Sequence, residues 1–277
     1  MSQPIESMYS AADGAQIFWR EWLAEHPKAL VVLVHGLGEH CGRYDHVAKV
    51  FNEEGYSLFS LDLRGHGKTP GKRGHAPSYD TLVKDVEEVI ASARSRFPNL
   101  PVFIYGHSMG GSIALYFGFT SKTPINGMIV TSPGLRTAQP VPPAKKLIAN
   151  VFGVLVPSLT VDNGLYLPGL SRDTAVIDAY KADPLVHPLI SAKLGLDLMR
   201  HGEWMIEHAG EFTIPLLLMQ GTADQLVNPA ATAEFASKVK SPITYMEFDG
   251  WYHELHNEPE KARPIKAIVD WIAGRLH

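Results

Sequence analysis

With one cysteine, Cys41, among its 277 residues, the chain can form no intramolecular disulfide. A lone thiol fits a reducing, cytoplasmic compartment. No apolar run approaches the roughly 20 residues that a bilayer-spanning helix needs. The opening MSQPIESMYS lacks a basic start and an apolar core, so it does not read as a signal peptide. Positive charge is not in excess: 25 Lys and Arg stand against 29 Asp and Glu, a net charge of −4. A nucleic-acid partner therefore has no general electrostatic support. There is no internal repeat and no low-complexity segment. The 13 histidines show no zinc spacing, and HELH at His253–His256 is not H-E-x-x-H. Gly67-Lys68-Thr69 has the end of a P-loop pattern, but Asp62 stands where its first glycine is required. The G-x-G-x-x pattern from Gly36 ends in Cys41 and has no mononucleotide context. Neither a metal nor a cofactor is expected.

What is present is a composition that suits a compact globule, 45% hydrophobic and 19% charged. The length suits a single α/β domain. Ser7 to Ala12 and Gln16 to Leu23 read as a hairpin, turned by Asp13-Gly14. Leu30 to Val34 is a continuous apolar run, a strand buried on both faces. A short helix over Val47, Val50 and Phe51 ends at Gly55, and Tyr56 to Leu63 is the next strand. Leu82, Val83, Val86, Val89, Ile90, Ala93 and Phe97 follow helical spacing. Val102 to Tyr105 and Ile125 to Thr131 are strands, with a helix between them. From about residue 134 to 212 the alternation breaks into a helical, proline-punctuated stretch with no clear strand. This is too long for a loop and reads as a cap inserted within the one domain. Strands return at Ile214 to Gln220 and Ile243 to Phe248, with helices near Ala230 to Val239 and from Pro259. The pattern predicts a mostly parallel central sheet covered by helices on both faces.

The chemistry gathers around Pro101 to Gly118. Gly106-His107-Ser108-Met109-Gly110 is G-x-S-x-G between a buried strand and a helix. Glycines two places either side relieve crowding at a strained serine, leaving its hydroxyl exposed beside helix N-terminal N–H groups. Such a serine is a nucleophile candidate, needing a base and a carboxylate to orient that base. In parallel sheets these groups collect beyond the strand C-termini. Asp224 follows Ile214 to Gln220, and His253 follows Ile243 to Phe248. The order Ser, Asp, His matches an α/β-hydrolase. Alternatives stand beside each residue. A helix cap before Asn228-Pro229 is the lesser alternative for Asp224, Asp249 is a rival carboxylate that better suits a turn, and His256 is a rival base. Asp62 suits loop organisation. The backbone N–H groups of Leu37, after the Leu30 to Val34 strand, and Met109 are candidates for an oxyanion hole.

HGLGEHCGRY, LDLRGHGKTPGKRGH, YGHSMGG, DAYKADPL, LLLMQGTADQLV and WYHELHNE together resemble the monoglyceride lipase and lysophospholipase group of α/β-hydrolases. The likeness runs from about Gly14 to the C-terminus and is loosest in the cap. It implies an α/β-hydrolase fold and a triad of Ser108 as nucleophile, Asp224 as orienter and His253 as base. Leu37 and Met109 would be the oxyanion pair. It implies cleavage of a monoacylglycerol through an acyl-enzyme, with Glu39, Arg43, His107, Tyr180 and His256 binding the glycerol head. A salt bridge holding the loop is the competing role for Glu39 and Arg43. A lysophospholipase, a general carboxylesterase, an S33-type aminopeptidase and a non-catalytic receptor for a hydrophobic ligand are the alternatives. Asn228 and its neighbours carry no thiol, unlike some animal members. Finally, Leu147 to Leu159 is uncharged, almost wholly apolar and preceded by Lys145-Lys146. It is expected to touch lipid surfaces peripherally, with packing onto the core as the alternative.

Overall fold

The computed structural model describes residues 3–276, without the side chains of Ala144, Lys145 and Ile148. Eight strands form one sheet: β1 (Ile5–Ser10), β2 (Gln16–Trp22), β3 (Ala29–Val34), β4 (Tyr56–Leu61), β5 (Val102–His107), β6 (Gly127–Thr131), β9 (Leu216–Gly221) and β10 (Ile243–Phe248). Their order is β1-β2-β4-β3-β5-β6-β9-β10. The first two strands are an antiparallel hairpin that pairs antiparallel with β4, and every other pairing in this sheet is parallel. Residues β3 through β6 are buried along their whole length, which is why they read as unbroken apolar runs rather than alternating ones.

The period of two decides which layer each side chain joins. Leu30, Val32 and Val34 enter the core with α2 (Tyr79–Arg96) and α3 (Met109–Thr120). Ala29, Val31 and Leu33 enter the opposite core with α1 (Asp45–Glu53) and α8 (Ala262–Ala273). Ser78 caps α2 by accepting the Thr81 N–H. Asn228, not Asp224, caps α7 (Pro229–Lys238) by accepting the Ala230 N–H. Asp224 is thereby left for another role.

Differences from the sequence expectations are local. Strand β4 stops at Leu61 because the next residues leave the sheet, with the Leu63 N–H donating to His35 Nε2. Helix α8 starts at Ala262 rather than near Pro259, with Pro264 in its first turn. Between β6 and β9 lie α4 (Pro143–Leu155), β7 (Thr160–Asp162), α5 (Thr174–Ala182), β8 (Leu189–Ser191) and α6 (Ala192–Glu207). The antiparallel β7–β8 ribbon was not expected, since three-residue strands are too short for periodicity to reveal.

The turn from β5 into α3 brings helix and sheet unusually close. A Cβ on Gly110 would lie 2.0 Å from the Val34 carbonyl oxygen and 2.4 Å from that of His35. Gly110→Ala should therefore cost more than about 3 kcal/mol, or prevent folding. Gly14→Ala, in open space at φ +84°, should cost about 1–2 kcal/mol through backbone strain alone. Urea denaturation of the two variants makes the comparison, and similar losses would contradict the close-packing account.

Candidate active site

Ser108 joins β5 to α3 with φ 54° and ψ −122°. Positive φ at a non-glycine residue is strained and is kept only where neighbours impose it. Here the Ser108 N–H donates to the Thr131 carbonyl at 3.0 Å, and the Ser108 carbonyl accepts from Gly134 and Ser112. Gly106 is required as well, because a Cβ there would lie 2.5 Å from the Gly110 carbonyl oxygen.

The loop after β3 passes directly over this turn. A Cβ on Gly36 would meet the Ser108 Cβ at 3.2 Å. The Gly36 N–H donates to Glu39 Oε1 at 2.6 Å, which fixes the loop. The N–H groups of Leu37 and Met109 have no acceptor among the described residues. Both belong to segments that flank Ser108, where donors to a developing oxyanion would be needed.

Asp224 leaves β9 fully buried and accepts four hydrogen bonds. Leu226 N and Val227 N donate to Oδ1 at 2.8 and 3.1 Å, and Gln220 Nε2 donates to Oδ2 at 3.0 Å. The fourth is His253 Nδ1, 2.8 Å from Oδ2. Asp249 instead sits exposed in a surface turn, accepting from Thr222 Oγ1. Burial opposes a charged His253, but the charge and hydrogen bond of Asp224, with Glu254 and Glu39 behind it, outweigh burial and raise its pKa. Ser108 and His253 line one small cavity.

Residues 25–260 match the family described as serine aminopeptidase, S33. The monoacylglycerol lipase of Mycolicibacterium smegmatis is 34% identical over 274 residues, covering 98% of each chain. An uncharacterized abhydrolase domain-containing protein of Dictyostelium discoideum is 37% identical over 281 residues, a match to 100% of this chain but only 30% of that protein. Among solved structures, the monoacylglycerol lipase of Paleococcus ferrophilus is 34% identical with a TM-score of 0.87, over 94% of this chain and 99% of the other. The chain belongs to the monoglyceride lipase and lysophospholipase group of the α/β-hydrolases. It is a serine ester hydrolase.

Ser108 shares its cavity with both polar and apolar side chains. The cavity, about 20 Å³, is lined by the polar side chains of Glu39, His107, Tyr180 and Glu254 and by the apolar ones of Leu165, Leu170 and Leu226. That is room for about one water. Arg43 and His256, expected beside the glycerol, do not line it. The Arg43 guanidinium is held by Glu39 and, through both terminal nitrogens, by Glu254. His256 is sealed behind His107, stacked on Tyr44 with ring centroids 4.6 Å apart. Burial brings its pKa down to about 3, so it is neutral. Burial, with His256 and His253 adding to it, also holds His107 well below the usual histidine range. A larger cleft of about 530 Å³ lies between α4 and α6, and neither Ser108 nor His253 lines it.

Several supporting residues escaped the sequence reading. Gln220 orients Asp224 and is itself oriented by the Thr232 hydroxyl. Ser132, at φ 44°, donates its hydroxyl to the His253 carbonyl at 2.8 Å. Glu254, beside His253 in sequence, carries the only available signal: an acidic residue next to a candidate base. Asp62 accepts from Cys41 N and Lys68 N and so organises its own loop. Among the described residues, no cluster of three or more His, Cys, Asp or Glu side chains is placed to hold a metal ion.

His253 can accept a proton only when neutral, so a raised pKa moves the acid limb of kcat/KM upward. Its midpoint should lie above the ordinary histidine value of roughly 6.5. Asp224→Asn should lower that midpoint and reduce kcat by roughly 10³- to 10⁴-fold, while Asp249→Asn should change kcat less than about twofold. Steady-state pH profiles on a soluble ester decide this, and a crippled Asp249 variant would reverse the assignment.

Proposed function

We propose that the hydrolase cleaves monoacylglycerols to fatty acid and glycerol through an acyl-enzyme. Ser108 Oγ attacks the ester carbonyl as His253 takes its proton, and Asp224 stabilises the imidazolium. The N–H groups of Leu37 and Met109 take up the charge of the tetrahedral oxygen. As the C–O bond to glycerol breaks, His253 protonates the departing alkoxide. A water, deprotonated by the same imidazole, then attacks the acyl-Ser108 and releases the fatty acid.

The observation that carries this reading is the mixed lining of the cavity, in which Glu39, His107, Tyr180 and Glu254 stand together with Leu165, Leu170 and Leu226 around Ser108. A molecule with a polar head and an apolar chain matches such a lining. In this reading Glu39, His107 and Tyr180 contact glycerol, while Arg43 and His256 stand behind them. The buried charge favours a neutral head. Two carboxylates, Glu39 and Glu254, share one guanidinium, which disfavours the phosphate of a lysophospholipid. An aminopeptidase would need a free carboxylate for the substrate ammonium, and Arg43 already occupies both. A general carboxylesterase keeps the same machinery and is the nearest second reading.

The test is a kcat/KM panel of monoacylglycerols, a diacylglycerol, a lysophospholipid, a proline arylamide and a nitrophenyl ester. Monoacylglycerol should rank first, and Ser108→Ala should lose several orders of magnitude on every ester it cleaves. Tyr180→Phe should cost monoacylglycerol more than the nitrophenyl ester of the same acid. Equal losses would make Tyr180 a scaffold residue, and a first-ranked lysophospholipid would overturn the substrate assignment.

The segment 134–212 acts, in the same reading, as a cap that opens at a lipid surface. One water's volume cannot admit an acyl chain, so Leu165, Leu170 and Tyr180 must move. Helix α4 presents Leu147, Val154 and Leu155 at 64%, 69% and 73% exposure, with Val151 and Phe152 beside them. This exposure argues against the core-packing alternative for Leu147 to Leu159. Of the expected basic edge, Lys146 is exposed and Lys145 lies outside the described side chains. Among the described residues no helix is long and apolar enough to cross a membrane. Such an uncharged apolar face can instead lie in the interface. Val151→Asp with Leu155→Asp should weaken vesicle sedimentation and turnover of dispersed monoacylglycerol while sparing a soluble short ester. Unchanged vesicle binding in the folded double variant would remove this face as the contact.

A further inference from the structure

The reaction proposed above requires two loops to agree in position. The loop after β3 carries the Leu37 N–H, and the loop after β10 carries His253. No backbone ladder joins them. A buried ion triad does. Arg43 Nη1 lies 2.6 Å from Glu39 Oε2 and 2.6 Å from Glu254 Oε1, and Nη2 lies 2.7 Å from Glu254 Oε2. The three side chains are 10%, 3% and 2% exposed. Each carboxylate has a second attachment to its own loop. Glu39 Oε1 accepts from Gly36 N at 2.6 Å and from the Tyr44 hydroxyl at 2.8 Å. Glu254 Oε2 accepts from Asn257 Nδ2 at 2.8 Å.

We propose that Arg43 is a positioning residue that clamps the oxyanion loop to the catalytic-histidine loop through Glu39 and Glu254, and that Glu254 sets the charge environment of the base. This rests on the ester-hydrolase reading of Ser108, Asp224 and His253. A planar guanidinium suits the task because its fork holds one carboxylate bidentately and still has an N–H for another. A lysine would supply one point charge and no fixed plane. Displacement of either loop by about 1 Å would misalign the oxyanion donors or the base, which costs kcat rather than KM.

The triad also carries a net negative charge close to the imidazole. The groups facing His253 come from every neighbouring element: Asp224 after β9, His107 at the end of β5, Glu39 and Arg43 beyond β3, and Glu254 and His256 on its own loop. His107 and His256 are neutral, as described above. Burial would raise the Glu254 carboxyl, but Arg43 brings its pKa down to about 2, so Glu254 stays ionised through the working range. It therefore favours the imidazolium that forms as Ser108 attacks. Removing its charge lowers the pKa of His253, because Arg43 is then less well neutralised. The acid limb moves to lower pH.

The test uses Glu254→Gln, Arg43→Lys and the double variant carrying both substitutions, which keeps a cation beside Glu39. Each is assayed on a monoacylglycerol and on the nitrophenyl ester of the same acid, with Ser108→Ala as the blank. Glu254→Gln should lose about 10- to 100-fold in kcat on both esters with KM nearly unchanged. Its acid limb should fall by about half a pH unit or more. Arg43→Lys should give a kcat loss of the same order, without rescue by its retained charge. The double variant should lose less than the product of the two single losses, since both act through one clamp. If a single variant melts below the assay temperature, the double variant carries the test alone, by its kcat loss on both esters and its acid limb. A loss confined to monoacylglycerol, with an unmoved acid limb, would overturn the proposal and make Arg43 part of the glycerol site. A wild-type protein that cleaves no ester above the Ser108→Ala blank would instead defeat the hydrolase reading itself.

Discussion

Between β5 and α3 the chain turns so tightly that even a methyl group on Gly106 would lie 2.8 Å from the Ala114 Cβ and 2.5 Å from the Gly110 carbonyl oxygen. At Gly106 only a hydrogen atom fits between the strand and the first turns of the helix. The same turn leaves the Met109 N–H, at the start of α3, without an acceptor among the described residues. It also forces Ser108 into positive φ, a strain of order 1–3 kcal/mol that the packed layers must hold. The cores on both faces supply that hold, because β3, β4, β5 and β6 are buried throughout. Loosening the glycine turn would release the strain and lose the hydroxyl's place.

The second requirement is electrostatic. Asp224, Glu39, Glu254 and His253 are buried and the Arg43 side chain is 10% exposed, in a setting where an unpaired charge is costly. Each is paired or hydrogen-bonded along most of its polar surface. The burial that makes these groups expensive also strengthens the fields between them. His253 feels Asp224, Glu254 and Glu39 in a dry setting, which is why its pKa rises although burial alone would lower it. His107 and His256, equally buried but without a carboxylate partner, move the other way.

The insertion between β6 and β9 is joined to this machinery by its backbone. The carbonyls of Gly169 and Leu170 accept from His253 N and Glu254 N. The His187 N–H donates to the Gly38 carbonyl, next to Leu37. Tyr180 lies under Arg43 with the guanidinium 4.8 Å from its ring centroid. Residues of the insertion that line the cavity therefore also contact the two loops that carry Leu37 and His253.

Much of the fold was legible because its signals are local. Buried parallel strands read as unbroken apolar runs, Asp13-Gly14 marks the hairpin, and the glycines around Ser108 mark the one turn too crowded for side chains. The candidate serine could be singled out because its chemistry depends on neighbours two places away. The choice between Asp224 and Asp249 depended on strand position and could only be expected. It was tertiary structure that left Asp249 in solvent, gave the helix cap to Asn228, and put Asp224 2.8 Å from His253. The Glu39–Arg43 bridge stood among the sequence alternatives, but its third member, Glu254, and the burial of His256 were out of reach for the same reason. Whether a polar side chain faces a ligand or another side chain depends on residues far away in sequence, such as Glu254, 211 positions from Arg43. Local pattern encodes burial and turning, whereas pairing of buried charges is a property of the packed whole.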